Sequence, residues 1–170
     1  TVIPGLVEVH SHGCAGADFS DGDYEGLKAM ARQYAAWGVT SFAPASMTLP
    51  YDVLEKAFAT AKQLAEENIE GLSVLRGIQM EGPYFSYKKR GAQNPDYLMA
   101  PDFDGFKKLY DACGGLIRVV DIAPELPGAV EFVEKAKDLC TVSIAHTDSD
   151  YDHAVAAIEA GVTHLTHLYN

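Results

Sequence analysis

The residues best suited to chemistry begin with His10 and His12, separated by one serine at the end of the apolar run Leu6 to His10. Side chains two apart on a strand point the same way, so both imidazoles can reach one metal ion. Taken alone, the pair fits equally well a hydrogen-bonded or solvated couple at a strand end. Further metal-liganding types close other apolar runs: Glu81 before Gly82-Pro83, His146 in Ala145-His146-Thr147, and His167 in His164-Leu165-Thr166-His167. In barrel enzymes the chemistry sits at the C-terminal ends of the strands, and four strand ends delivering His, Glu, His and His favour a shared cation. Nitrogen and carboxylate donors with an open position suit Zn²⁺ first, and the same donors would take Fe²⁺, Mn²⁺ or Co²⁺.

Other candidates carry less. His164 has the opposite strand parity to His167, which turns it towards helices or the sheet end. His153 lies in a helical stretch and is expected in solvent. Glu8 shares the parity of His10 and His12, as a carboxylate behind the ligands or in an interior ion pair. Cys14 follows the His10–His12 pair closely enough to lie near a metal, and reads better as a packed thiol. Lys88-Lys89-Arg90 is the densest positive cluster, and serves either a solvated loop or a phosphate.

Positioning these residues requires repeated βα units, and short apolar runs do alternate with helical patterns along the chain. Strands are predicted near Leu6 to His10, Thr40 to Ala45, Ser73 to Glu81, Ile117 to Ala123, Val142 to His146 and Leu165 to Leu168. Between them, Val53, Leu54, Ala57, Phe58, Ala61, Leu64 and Ala65 recur at helical spacing, with Glu55, Lys56, Lys62, Glu66 and Glu67 opposite. Similar patterns run over Tyr24 to Trp37, Asp104 to Ala112, Ala129 to Leu139 and Tyr151 to Ala160. Asp21 or Asp23, Pro50, and Ser149 or Asp150 supply helix starts, and Gly38 and Gly161 supply stops. The segment Gly82 to Pro101 is a long loop after a strand, of the kind that is usually functional or disordered.

Composition bounds the answer. The chain has 170 residues, 48% hydrophobic and 22% charged, which fits one domain with one core. No apolar run approaches the roughly 20 residues of a membrane span. A net charge of -11 disfavours nucleic acid, so a small anionic substrate would need a local cationic pocket. Three cysteines, Cys14, Cys113 and Cys140, without disulfide-scaffold spacing point to a reducing cytoplasm. No signal peptide is visible, and the chain opens without methionine, as though it began within a longer protein.

The motifs then align with a family. Pro4-Gly5-Leu6-Val7-Glu8-Val9-His10-Ser11-His12-Gly13 resembles the first strand of the amidohydrolase superfamily. Gly38-Val39-Thr40-Ser41-Phe42, Glu81-Gly82-Pro83-Tyr84, Lys89-Arg90-Gly91-Ala92-Gln93-Asn94-Pro95, Ala123-Pro124-Glu125, Ala145-His146-Thr147 and Thr163 to Asn170 resemble the N-acetylglucosamine-6-phosphate deacetylases in order and spacing. The fold implied is α/β: an incomplete TIM (β/α)₈ barrel with about six of eight strands. Residues 1–170 then form a single partial barrel domain, without the last strands or a flanking small β domain. An open doubly wound sheet would also accommodate six strands, so the barrel reading rests on where the chemistry falls.

The resemblance implies that Glu81, His146 and His167 hold the main metal and that His10 and His12 allow a second ion. It also places Ala92, Gln93 and Asn170 at an amino-sugar phosphate. The position of Gln93 is histidine in many relatives, although an amide still offers a donor and an acceptor. The implied reaction is hydrolysis of the N-acetyl group of N-acetylglucosamine 6-phosphate in the cytoplasm, by a chain compatible with a homodimer. The catalytic aspartate is expected beyond Asn170, so the 170-residue piece alone is expected to be inactive. The alternatives are another amidohydrolase, a cyclic amidase or deaminase, and a non-catalytic metal-binding module.

Overall fold

The structure, a computed structural model, describes residues 1–169. Its longer strands are β1 (Leu6–Ser11), β4 (Val39–Pro44) and β7 (Ile117–Ile122); shorter ones are β5 (Val74–Leu75), β6 (Ile78–Met80), β8 (Thr141–Ile144) and β9 (His164–Leu165). A hairpin of β2 (Gly13–Cys14) and β3 (Ala17–Asp18) follows the first strand. The helices are α1 (Tyr24–Ala36), α2 (Tyr51–Glu67), α3 (Phe103–Ala112), α4 (Ala129–Ala136) and α5 (Tyr151–Ala160).

Apart from the hairpin, all pairing is parallel, in the order β1-β4-β5 and β6-β7-β8-β9, and the bridge between Ala45 and Gln79 joins the two runs. The strand predicted over Ser73 to Glu81 is thus divided into β5 and β6, giving six strand positions in chain order. The division falls at Arg76-Gly77, where a Cβ on Gly77 would stand 2.2 Å from Cγ of Arg118. No reversal of strand order occurs among the described residues, whereas a doubly wound sheet requires one. The last strand is shorter than predicted, and α4 stops three residues before Leu139.

Alternation explains what each face of the sheet carries. Ile78, Met80, Val120, Ile122, Val142 and Ile144 are buried with Leu27, Met30, Phe58, Phe106, Phe132 and Ala157 of the helices. The residues between them, Gln79, Glu81, Asp121 and Ser143, are polar and equally buried on the opposite face. The helices take the expected caps: the Asp23 carboxylate accepts from the N–H groups of Glu25 and Gly26, and Asp150 accepts from that of His153.

Candidate metal centre

Glu81 directly follows β6, is 1% exposed, and is surrounded by four imidazoles from three other strand ends. Its Oε1 lies 2.8 Å from Nε2 of His146 and 2.9 Å from Nε2 of His167. Its Oε2 lies 2.9 Å from Nε2 of His12 and 3.5 Å from Nε2 of His10. Among the described residues, Oε2 of Glu81 and Nε2 of His10 are both buried without a hydrogen bond. All five sequence-predicted donors therefore converge. Donor atoms of His10, Glu81 and His167 lie within 4.8 Å of one another.

The far side of each ring explains why a cation suits this cluster. Nδ1 of His12 donates to the carbonyl of Ala45 at 3.1 Å, and Nδ1 of His146 donates to that of Lys89 at 3.0 Å. Nδ1 of His10 lies 2.8 Å from Oε1 of Gln79. Each of these partners accepts, so in the neutral rings the unprotonated Nε2 atoms face a carboxylate. Lone pairs aimed at lone pairs need protons or a cation between them. Protonating all four rings instead would crowd like charges whose rings lie 4.7–5.3 Å apart. A divalent ion meets the donor set, the charge and the two orphaned atoms together.

The electrostatics follow from the same contacts. Burial works against the Glu81 charge, but the imidazoles of His12, His146 and His167 outweigh it and hold the carboxyl far below the usual range. The Glu81 carboxylate raises His12. In His146, burial opposes protonation and the carboxylate overcomes it; in His10, burial prevails and the pKa falls.

Two of the imidazoles depend on unusual backbone. His146 has φ of 46° and His167 has φ of 54°, both in the left-handed region that side chains seldom adopt. His146 is held by the Phe85 ring at 4.6 Å, by Lys89, and by a clamp just downstream. There Glu125 accepts from the Thr147 hydroxyl at 2.6 Å and from the Asp148 N–H at 2.8 Å. The left-handed turn also undoes the parity expectation for His164. It does not face the helices; its Nδ1 bonds Oγ of Ser143, on the buried polar face with Thr166.

The remaining candidates separate clearly. Gln93 is buried, with its amide oxygen accepting from the Thr48 N–H at 2.7 Å, whereas Ala92 is exposed beside it. Asn170 lies outside the described residues. Lys88 and Lys89 border a cavity of about 730 Å³ with Gly91, His146, Thr147 and His167, and both lysines pair with Asp148. Glu8 accepts from the N–H of His10, and Cys14 packs on Met30. His153 pairs with Asp150 at the surface. The residues that sequence reasoning missed are Gln79, Asp121, Ser143 and Thr166, behind His10. Their signal was a polar residue inside an apolar strand, as in Val120-Asp121-Ile122.

Known proteins resemble this chain. The N-acetylglucosamine-6-phosphate deacetylase of Bacillus subtilis is 36% identical over 99% of the chain and 43% of its own length. A crystal structure of the Mycobacterium smegmatis N-acetyl-D-glucosamine-6-phosphate deacetylase superposes with a TM-score of 0.92 at 30% identity, covering all of this chain and 44% of that one. An aspartate-to-alanine mutant of the same enzyme, in complex with N-acetyl-D-glucosamine-6-phosphate, gives 0.90 at 30% identity over 99% and 43%. The chain thus spans less than half the length of these relatives. The profile of the Amidohydrolase family matches residues 1–170, and with the strand-end cluster described above it shows that this chain belongs to that family.

Proposed function

We propose that the chain is the metal-bearing part of a deacetylase that hydrolyses N-acetylglucosamine 6-phosphate to glucosamine 6-phosphate and acetate. The observation that carries this reading is the buried Glu81 carboxylate facing four Nε2 atoms, with two buried atoms lacking a hydrogen-bond partner among the described residues. The six strands represent six of the eight in a TIM (β/α)₈ barrel, with residues 1–170 in one domain. Support comes from the strand order and from His10 and His167, which belong to opposite edges of the sheet yet have ring centroids 4.7 Å apart. Across a flat sheet, five interstrand steps would separate those edges by roughly 24 Å.

Glu81, His146 and His167 are assigned to the main divalent ion, zinc first, with His10 and His12 able to take a second. Such an ion, when bound, supplies Lewis acidity towards the acetamide carbonyl and lowers the pKa of water. The chain's own residues do the rest. Glu81 supplies the compensating charge, while Ala45, Gln79 and Lys89 fix the rings through their Nδ1 atoms. With its oxygen committed to Thr48, Gln93 offers the sugar its amide N–H₂. Ala92 and Asn170 are assigned to the same substrate, and the cavity has the volume of a small-ligand site. The proton for the departing amine is assigned to an aspartate outside residues 1–170. Three free thiols agree with a cytoplasmic setting. No helix among the described residues is long and apolar enough to cross a membrane.

The test uses the full-length gene product purified without chelator, with metal content measured beside turnover. N-acetylglucosamine 6-phosphate, N-acetylgalactosamine 6-phosphate, dihydroorotate and adenine are the substrates to compare. Expected are at least one divalent ion per chain and hydrolysis of the first compound. Turnover of dihydroorotate or adenine alone would overturn the deacetylase reading in favour of another amidohydrolase.

A further inference from the structure

We infer that Asp121 and Gln79 are positioning residues that decide which ring nitrogen of His10 carries the proton, and so which one faces the candidate metal centre. This inference rests on the reading of His10 as a metal ligand.

The argument is one of hydrogen-bond direction. Asp121, on β7, is 0% exposed, and each of its carboxylate oxygens receives a hydrogen bond. Oδ1 accepts from the Thr166 hydroxyl at 2.9 Å, and Oδ2 accepts from Nε2 of Gln79 at 2.9 Å. Once ionised, as at the pH 8 of the test below, the carboxylate can only accept, so the single hydroxyl hydrogen of Thr166 is committed to it. Ser143 Oγ, 2.8 Å from Thr166 Oγ1, must then donate to Thr166. His164 Nδ1, 2.9 Å from Ser143 Oγ, must donate in its turn. The second amide hydrogen of Gln79 goes to Thr166 Oγ1 at 3.0 Å. Every hydrogen in the chain is directed towards Asp121.

That direction leaves Gln79 one orientation. Its N–H₂ is used by Asp121 and Thr166, so its oxygen faces His10 and accepts the Nδ1 proton at 2.8 Å. His10 therefore presents an unprotonated Nε2 to Glu81. His12 and His146 need no such help, because their Nδ1 partners are backbone carbonyls, which accept in any state. Among the described residues, His10 alone of these rings leans on a side-chain amide, a group that could be turned over to donate instead. Asp121 prevents that reversal and does for His10 what the backbone does for the other two rings.

The test reads imidazole ¹⁵N shifts of the metal-free protein at pH 8, with His10 assigned from a His10→Gln variant. Wild-type His10 should be protonated on Nδ1. In Asp121→Asn the amide can donate to a reversed Gln79, so a population protonated on Nε2 should appear and zinc affinity should fall roughly 10–100-fold. Gln79→Met should lose affinity to a similar degree. Ser143→Ala disturbs the same buried cluster without touching Gln79 and should leave both the His10 shifts and the affinity near wild type. An Nε2 proton on His10 in the wild-type protein overturns the inference, even if neither Asp121→Asn nor Gln79→Met folds. So does an Asp121→Asn protein with wild-type shifts and affinity. Unchanged zinc affinity and stoichiometry in His10→Gln would instead remove His10 from the metal centre, a separate failure from that of the tautomer control.

Discussion

The side-chain oxygen of Gln93 accepts a 2.7 Å hydrogen bond from the backbone N–H of Thr48, tying the loop after β6 to the turn that precedes α2. Both residues are buried. Gln93→Ala would leave that N–H unpaired, which costs roughly 1–3 kcal/mol. Urea unfolding should show the loss, and in the full-length protein KM for the proposed sugar phosphate should rise because the amide group is lost and Ala92 moves with the loop. A Gln93→Ala protein as stable as the wild type would mean that the loop is held by other contacts.

Glu125 has a comparable duty beside His146. The left-handed backbone at His146 carries an intrinsic cost of roughly 1–3 kcal/mol, so neighbouring contacts must hold it. Two hydrogen bonds from Thr147 and Asp148 to the Glu125 carboxylate supply part of that hold. Glu125→Ala should lower stability by about 1–2 kcal/mol, discounted for partial exposure, and should weaken zinc binding by more than stability loss alone predicts. Calorimetry on the folded variant separates the two effects. Wild-type zinc affinity in Glu125→Ala would show that His146 keeps its geometry unaided.

The convergence of the candidate donors was legible because their types recur where apolar runs end, and β-strand alternation brought out His10 and His12 together. Alternation failed at His164 and His167, since it assumes extended backbone up to the ligand, while His167 sits in a left-handed turn. The β2–β3 hairpin was not anticipated, because two-residue strands offer no period to detect. The break at Gly77 depends on the close approach of Arg118, a neighbour 41 residues later that local pattern does not reveal. The polar chain behind His10 was visible only as isolated polar letters, and its meaning came from three strands meeting around Asp121.

Asp121 should also leave a mark on stability. Burial pushes its carboxyl up to about 7 from 3.8, and Glu81 adds repulsion, while hydrogen bonds from Gln79 and Thr166 pull it back. A raised carboxyl binds its proton more tightly when folded. The folded state therefore holds more protons between about pH 4 and pH 7, and this contribution to stability declines as pH rises through that window. At about 1.36 kcal/mol per unit, the decline is on the order of 4 kcal/mol. Asparagine has no charge to bury. In metal-free protein, Asp121→Asn should therefore gain stability relative to wild type from pH 4 to pH 8, and loss of the Asp121 charge that helps to raise His146 acts in the same direction. Urea denaturation at several pH values measures the difference, and a difference independent of pH would contradict the argument.

Removing the Glu81 charge tests the centre itself. In wild-type protein, zinc at about 100 times its dissociation constant should add about 2.7 kcal/mol, which for a domain of this size raises Tm by about 5–10 °C. Chelator should reverse the rise. In Glu81→Gln the four imidazoles keep their partners at Nδ1 or their places on the strands, but the carboxylate that meets all four Nε2 atoms is gone. Its loss should exceed the roughly 10–100-fold typical of an outer partner. At the same zinc concentration the Tm of Glu81→Gln should therefore barely move. Equal zinc-induced rises in the two proteins would mean that the ion binds somewhere other than around Glu81.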